Sequence, residues 1–349
     1  MANKKRIVFV VNPISGTQGK KAILKWIEER IDHSQYDYEI VKTAYAGHAV
    51  EIAAKAVYEK VDTVVAIGGD GTINEVARSL IHSTTALGII PCGSGNGLAR
   101  HLKIPMDPKA AIDIINDDYR LNIDYGKING LPFFCTCGVG FDAFVSLKFA
   151  DSGKRGLLTY LENTLHESLT YQPETYEIEN EEGTVKYNAF LIACGNASQY
   201  GNNAYITPQA SLKDGLMDVT ILEPFTVLDV PSLSFQLFNK TIDQNSRIKT
   251  MRTKKIKIHR DQPGVFHYDG DPIMGDKDLE VEIIPKGLYV ITNPKRKKDN
   301  NENINFLQII SDYFSGLKPK GEEFLAKRQS RLFEINRTLL RKLSKKNDK

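Results

Sequence analysis

The stretch Ala66-Ile67-Gly68-Gly69-Asp70-Gly71-Thr72-Ile73-Asn74-Glu75 joins an apolar run to a helix-like pattern through glycines that surround one carboxylate. Glycines between a strand and a helix bring backbone N–H groups close to a ligand, and a helix N-terminus favours phosphate. Asp70 breaks that logic, because a carboxylate repels a phosphate unless a cation or a hydroxyl shares the site. Two further turns have similar chemistry. Asn12-Pro13-Ile14-Ser15-Gly16 ends the first apolar run, and Pro91-Cys92-Gly93-Ser94-Gly95-Asn96-Gly97 ends a later one. No Walker A pattern matches, and the third turn is not the G-x-G-x-x-G fingerprint, which disfavours a dinucleotide dehydrogenase. Thr43, just before Gly47-His48-Ala49, offers a hydroxyl to a nucleotide, whereas His48 reads as a capping or packing histidine.

Acids lie far downstream. Tyr268-Asp269-Gly270-Asp271 sets two carboxylates about a glycine, Ser211-Leu212-Lys213-Asp214-Gly215-Leu216-Met217-Asp218 adds more in a turn, and Asp124 sits in a strand-like run. Phosphorylating a hydroxyl needs donors for phosphate and carboxylates for Mg2+ and the attacking oxygen. Taken singly, each of these acids is more often a turn former.

Regular elements must position these loops. Strand-like runs at Arg6–Asn12, Tyr38–Lys42, Asp62–Gly68 and Ala86–Pro91 alternate with helix-like segments near 19–31, 47–60, 73–82 and 96–103. Val50, Ala53, Ala54, Val57 and Tyr58 carry the spacing of a buried stripe. The alternation predicts a parallel sheet covered on both faces, with ligands at the carboxyl ends of its strands. After about residue 120, short β-branched and aromatic runs dominate: Tyr187–Cys194, Met217–Leu222, Lys254–His259, Val265–Tyr268, Leu279–Ile284 and Leu288–Thr292. They predict a largely antiparallel, sandwich-like second domain with helical insertions near 142–170 and 226–240. The expected organisation is an α/β nucleotide-binding domain over 1–125, a β-rich domain over 126–293 and a basic amphipathic helical tail over 294–349.

The chain of 349 residues is 41% apolar and 26% charged, ordinary values for a globular protein. The apolar run near the N-terminus is five residues long and ends in Asn-Pro, so it reads as a first strand and not a signal peptide. A cytoplasmic location is expected, peripheral to the inner face of the membrane. Cys135 and Cys137 read as small buried apolar residues and not as a metal pair. The net charge of +3 is uneven: residues 317–349 hold eleven Lys/Arg and four Asp/Glu, leaving 35 basic and 39 acidic groups before them. The tail therefore suggests contact with an anionic membrane surface. Nucleic acid is disfavoured, since no basic surface interleaved with aromatics accompanies the tail. A homodimer is left open.

The motifs in order resemble those of the diacylglycerol kinase catalytic-domain family, which includes bacterial lipid kinases, sphingosine kinases and ceramide kinases, with NAD kinases as distant relatives. The resemblance runs from about residue 5 to 293. It rests on Asn12-Pro13-x-Ser15-Gly16, Gly68-Gly69-Asp70-Gly71-Thr72 with Asn74-Glu75, Pro91-x-Gly93-Ser94-Gly95-Asn96, Gly140-Phe141-Asp142-Ala143, Asp214-Gly215-x-x-Asp218 and Asp269-Gly270-Asp271. It implies a membrane lipid as acceptor, ATP as donor, and nucleotide contacts at Asn12, Ser15, Gly16, Thr43, Gly68, Gly69, Asp70, Gly71, Thr72, Asn74, Gly93, Ser94 and Asn96. It also implies Mg2+ at Asp214 with the carbonyls of Ser211 and Leu216, and Asp124 is a further metal candidate. Asp271, Asp269 and Asp70 compete for the catalytic carboxylate. Two departures stand out: Gly97 occupies a position where bacterial members commonly carry an acid, and Asp271 stands where a glutamate is usual. The alternatives are a kinase acting on a soluble substrate, as NAD kinases do, and a sensor that has lost catalysis.

Overall fold

The computed structural model describes residues 4–14, 19–152, 171–226 and 228–293. Ser15, Gly16 and the basic tail lie outside the described residues. β1 (Lys5–Val11), β2 (Tyr36–Lys42), β3 (Thr63–Gly68) and β4 (Ala86–Pro91) are parallel, in the order β2-β1-β3-β4. Every residue of β3 and β4 is buried, as strands covered on both faces require. The crossovers run through α1 (Lys20–Arg30), α2 (His48–Tyr58), α3 (Asp70–Leu80), the short α4 (Gly97–His101) and α5 (Pro108–Asp117). α2 packs on α3, and α1 packs on α5.

The buried face of α2 is not the expected stripe. Ala49, Ala53 and Ala56 face the core, while Val50, Ala54 and Tyr58 are exposed. Alanines let the helix lie close to the sheet and its neighbour α3, so the larger side chains turn outward.

The second half adds β5 (Arg120–Ile128), β6 (Leu131–Phe133), β7 (Thr136–Gly140), α6 (Phe141–Ser152), β8 (Glu174–Asn180), β9 (Gly183–Ala189), β10 (Leu191–Gly195) and β11 (Met217–Leu222). It continues with α7 (Val230–Phe238), β12 (Ile248–Thr253), β13 (Lys255–Arg260), β14 (Gly264–Tyr268), β15 (Asp271–Gly275) and β16 (Asp278–Ile291). The run expected over Tyr187–Cys194 is two strands in different sheets. It breaks at buried Phe190, whose N–H donates to Leu222 O and whose carbonyl accepts from Phe141 N–H. The runs expected over 279–284 and 288–292 are one strand, β16, irregular between Ile284 and Leu288.

β16 joins the halves. It pairs antiparallel with β5 and β13, and in parallel with β4 through Val290 and Leu87. A single sheet thus runs β2-β1-β3-β4-β16-β13-β8-β9, with β5 and β6 beside β16. The second sheet, β12-β11-β10-β7-β14-β15, is antiparallel and packs through Val139, Ile192 and Phe266 onto Ile178, Ile256 and Val281 of the first. The α/β and sandwich-like halves expected from the sequence are both present.

Candidate active site

The turns after β1, β3 and β4 meet at the carboxyl edge of the parallel strands. Asn12 Nδ2 donates to Thr72 Oγ1 at 3.1 Å, and Asn12 Oδ1 accepts from Ile14 N–H at 3.0 Å. These bonds tie the end of β1 to the start of α3. α3 begins at Gly69 without a side-chain cap, which leaves N–H groups of its first turn directed at the site. Gly93 lies so close to Gly69 that a Cβ on it would stand 2.6 Å from Gly69 Cα. The two turns can touch only as glycines.

Asp70 holds them together. Its Oδ2 accepts from Asn96 N–H at 2.8 Å and its Oδ1 from Gly97 N–H at 2.7 Å. The carboxylate of the second turn thereby caps α4, which starts in the third turn. Burial raises the Asp70 pKa against the pull of those two N–H groups and of Arg100. Asn96, buried and left-handed at φ +52, accepts from Gly93 N–H at 3.0 Å and donates to Gly93 O at 2.7 Å. Thr72 and Asn74 are buried, whereas Gly71 and Ser94 are exposed to an incoming ligand. Thr43 stands at the end of β2, its N–H on Val11 O at 2.9 Å. His48 packs as expected: its Nδ1 accepts from Ala44 N–H at 3.0 Å and its ring stacks on Tyr45.

The late acids form a hairpin turn. Tyr268 pairs with Asp271, so Asp269 and Gly270 are a two-residue loop between β14 and β15, with φ of +50 and +85. Asp-Gly is the pair that accepts two positive φ angles in such a loop. Asp269 then turns its carboxylate inward, onto the N–H groups of Phe134 at 2.8 Å, Cys135 at 2.7 Å and Thr136 at 3.2 Å. Burial pushes its pKa up to about 6 in spite of those donors and Arg78. Asp271 is different. Its side chain is 56% exposed, and its partner is Arg78 of α3 at 3.3 Å, whose guanidinium also lies over the Tyr268 ring.

Asp124, Ser211, Asp214 and Leu216 come together as one cluster. Asp124 N–H donates to Leu212 O, and its carboxylate accepts from Gly215 N–H and Lys286 N–H, each at 2.8 Å. Asp214 accepts from Leu216 N–H at 3.1 Å and is ion-paired with Arg252, which also reaches Asp218. Both acids are thus engaged, and a guanidinium stands at the carboxylate expected to hold magnesium. A cation there would have to displace that guanidinium from Asp214. Among the described residues, no three His, Cys, Asp or Glu side chains are grouped to hold one.

Sequence reading missed Arg78, Arg252, Tyr200 and His267. His267 lies two residues before Asp269, and Tyr200 follows a strand by five, but neither spacing forms a motif. All four cysteines are buried and unbridged, as expected for Cys135 and Cys137.

Fold and site together define a phosphoryl-transfer enzyme, and comparison with known proteins makes the class specific. The diacylglycerol kinase catalytic domain model matches residues 6–128, and the YegS C-terminal NAD kinase beta sandwich-like domain model matches residues 135–292. A Klebsiella pneumoniae (strain 342) protein named "Probable lipid kinase YegS-like" is 30% identical over 257 residues, covering 72% of this chain and 85% of its own. The diacylglycerol kinase of Mycobacterium tuberculosis is 28% identical over 299 residues, covering 82% and 94%. A solved diacylglycerol kinase from Bacillus anthracis str. Sterne shares the fold, with TM-score 0.67 at 20% identity over 84% of this chain and 99% of that one. The chain belongs to the diacylglycerol kinase catalytic-domain family. It is a lipid kinase.

Proposed function

We propose that the protein transfers the γ-phosphoryl group of ATP to a hydroxyl of a diacylglycerol, sphingoid base or related membrane lipid. The observation that carries this reading is the Arg78–Asp271 contact at 3.3 Å. One helix, α3, presents its open N-terminus to the phosphates and, two turns on, reaches the acidic hairpin of the other sheet. Donors for phosphate and a carboxylate for a hydroxyl therefore line one cleft.

In this reaction Asp271 takes the proton of the lipid hydroxyl. The freed oxygen bonds to the γ-phosphorus while the bond to the bridging oxygen breaks, and ADP leaves. Backbone N–H groups of the Gly68–Thr72 and Gly93–Asn96 turns hold the phosphates as their charge shifts. Asp271 suits the role because its carboxylate is exposed, whereas Asp269 and Asp70 already hold backbone donors. Magnesium, bound with the nucleotide, would shield the phosphate charge. The basic tail serves as a contact to anionic membrane, a reading supported by its charge alone.

The test incubates the purified chain with labelled ATP, Mg2+ and a panel of diacylglycerol, sphingosine, ceramide and NAD. Label on a lipid supports the proposal. Label on NAD with none on any lipid overturns it.

A further inference from the structure

Two buried polar side chains and a partly buried tyrosine lie behind the acidic hairpin and take no part in the chemistry above. His267 on β14 is 1% exposed and Asp142 in the first turn of α6 is 6% exposed. Their Nε2 and Oδ2 atoms are 2.9 Å apart. Tyr200 Oη donates to the same Asp142 oxygen at 2.8 Å. On its other side the imidazole meets the hairpin: Nδ1 accepts from Gly270 N–H at 3.3 Å. α6 packs on β7, β14 and β15, and Gly138 of β7 leaves room for the pair. A Cβ at Gly138 would stand 2.8 Å from Asp142 Oδ2 and 3.1 Å from His267 Nε2.

We propose that His267, oriented by Asp142 and Tyr200, is the positioning residue for the hairpin that presents Asp271 to the lipid hydroxyl. The inference rests on the assignment of Asp271 as base. Two arguments carry it. First, the two-residue Asp269-Gly270 loop, whose positive φ angles Asp-Gly accepts, is bonded on both of its sides. The Asp269 carboxylate fixes one side of the loop, and the His267–Gly270 bond fixes the other. Second, Nδ1 accepts from Gly270 N–H, which requires the ring proton on Nε2, the atom that lies 2.9 Å from Asp142 Oδ2. Asp142 thereby selects the form of the ring that can receive Gly270 N–H. Burial pulls the His267 pKa down, but Asp142, with Asp269 and Asp271 behind it, raises it overall. A doubly protonated ring would set Nδ1–H against Gly270 N–H, so the bond to the hairpin belongs to the neutral form.

Tyr200 extends the link to the nucleotide side. Its carbonyl would stand 3.1 Å from a Cβ on Gly97, and Asn202 N–H donates to Gly95 O at 3.1 Å. The segment that braces Asp142 therefore also rests on the third glycine turn. A continuous set of contacts runs from that turn through Tyr200, Asp142 and His267 to Gly270, and aligns the two halves of the cleft.

The test compares His267→Asn, His267→Gln and Asp271→Asn in the full-length chain, with the lipid selected by the panel assay in mixed micelles. Asparagine can place an acceptor near the Nδ1 position; glutamine places a donor near Nε2 and loses the acceptor. A displacement of about 1 Å at a reacting group costs up to roughly 100-fold in rate. The expected result is a kcat about 10-fold or more below the parent for His267→Gln. His267→Asn should stay within about three-fold, and the KM for ATP should change by less than about two-fold in both. Parent-like kcat in His267→Gln, or losses in both variants that merely follow their melting temperatures, overturns the positioning role. Parent-like kcat in Asp271→Asn overturns the base assignment instead.

Discussion

Replacing Asp70 by asparagine separates a carboxylate that acts on substrate from one that holds the site together. Both Asp70 oxygens accept backbone N–H groups, from Asn96 at 2.8 Å and Gly97 at 2.7 Å. Asparagine keeps one acceptor and turns an amide N–H against the other donor. Hydrogen bonds to a charged group contribute about 1.5–3 kcal/mol, and a stranded donor costs about 1–3 kcal/mol. Against that loss stands the burial that raises the Asp70 pKa. A neutral side chain avoids it, which brings the net cost to about 1–3 kcal/mol by the same scale. For a body of this size, that lowers the melting temperature by roughly 2–8 °C. The clamp sets the approach of Gly69 to Gly93, so ATP binding weakens as well, with KM for ATP rising about 10-fold, or 1.4 kcal/mol. Thermal melts and steady-state kinetics at varied ATP are the assay. An unchanged or higher melting temperature, with KM for ATP unchanged and only kcat reduced, would refute the clamp and return Asp70 to direct chemistry.

Asp271→Asn should lower kcat by about 100-fold or more yet leave the melting temperature within about 1 °C, because an exposed ion pair contributes little stability. A melting loss comparable to that of Asp70→Asn would show a structural role. Asp269 has a folded pKa raised to about 6 from 3.8. The stability linked to its protonated form is full below the unfolded pKa and is lost as pH rises through about 6. The melting deficit of Asp269→Asn relative to the parent should therefore shrink between pH 4.5 and 7.5, and a widening deficit contradicts the reading. Removing residues 300–349 should reduce co-sedimentation with vesicles rich in anionic lipid and spare turnover on micellar lipid; unchanged sedimentation removes the tail as anchor.

The parallel half was legible because its signals are local. β3 and β4 are largely apolar runs that lead into glycine-bearing turns, and both are buried on two faces as such runs demand. The stripe on α2 was misread because hydrophobicity ranks valine and tyrosine above alanine, whereas the site of closest packing selects the smaller residue. The turn at Phe190 was invisible for a similar reason. Nothing in an apolar run from Tyr187 to Cys194 announces that it changes sheets, since the change depends on Leu222 and Phe141 as partners. Among the site residues, the glycine turns could be read from their type, but the partners of each acid could not. Asp70 meets residues 26 and 27 positions away, and Asp269 meets Phe134, 135 positions away.

Those partners decide what each carboxylate can do. A reagent must have a lone pair free when substrate arrives, whereas an acid whose oxygens already receive backbone N–H groups must break bonds before it can act. By that criterion Asp70, with two such donors, Asp124, with two, and Asp269, with three, are fixtures of the turns they close. Asp271 meets a side-chain guanidinium instead, and its own side chain is 56% exposed. In the proposed reaction, neighbouring acids of one Asp-Gly-Asp motif thus have opposite tasks: the first fixes the hairpin, and the second keeps an exposed carboxylate for the hydroxyl. The shorter reach of aspartate at 271, where a glutamate is usual, makes that fixing more demanding, because a base that cannot extend must be delivered by its backbone.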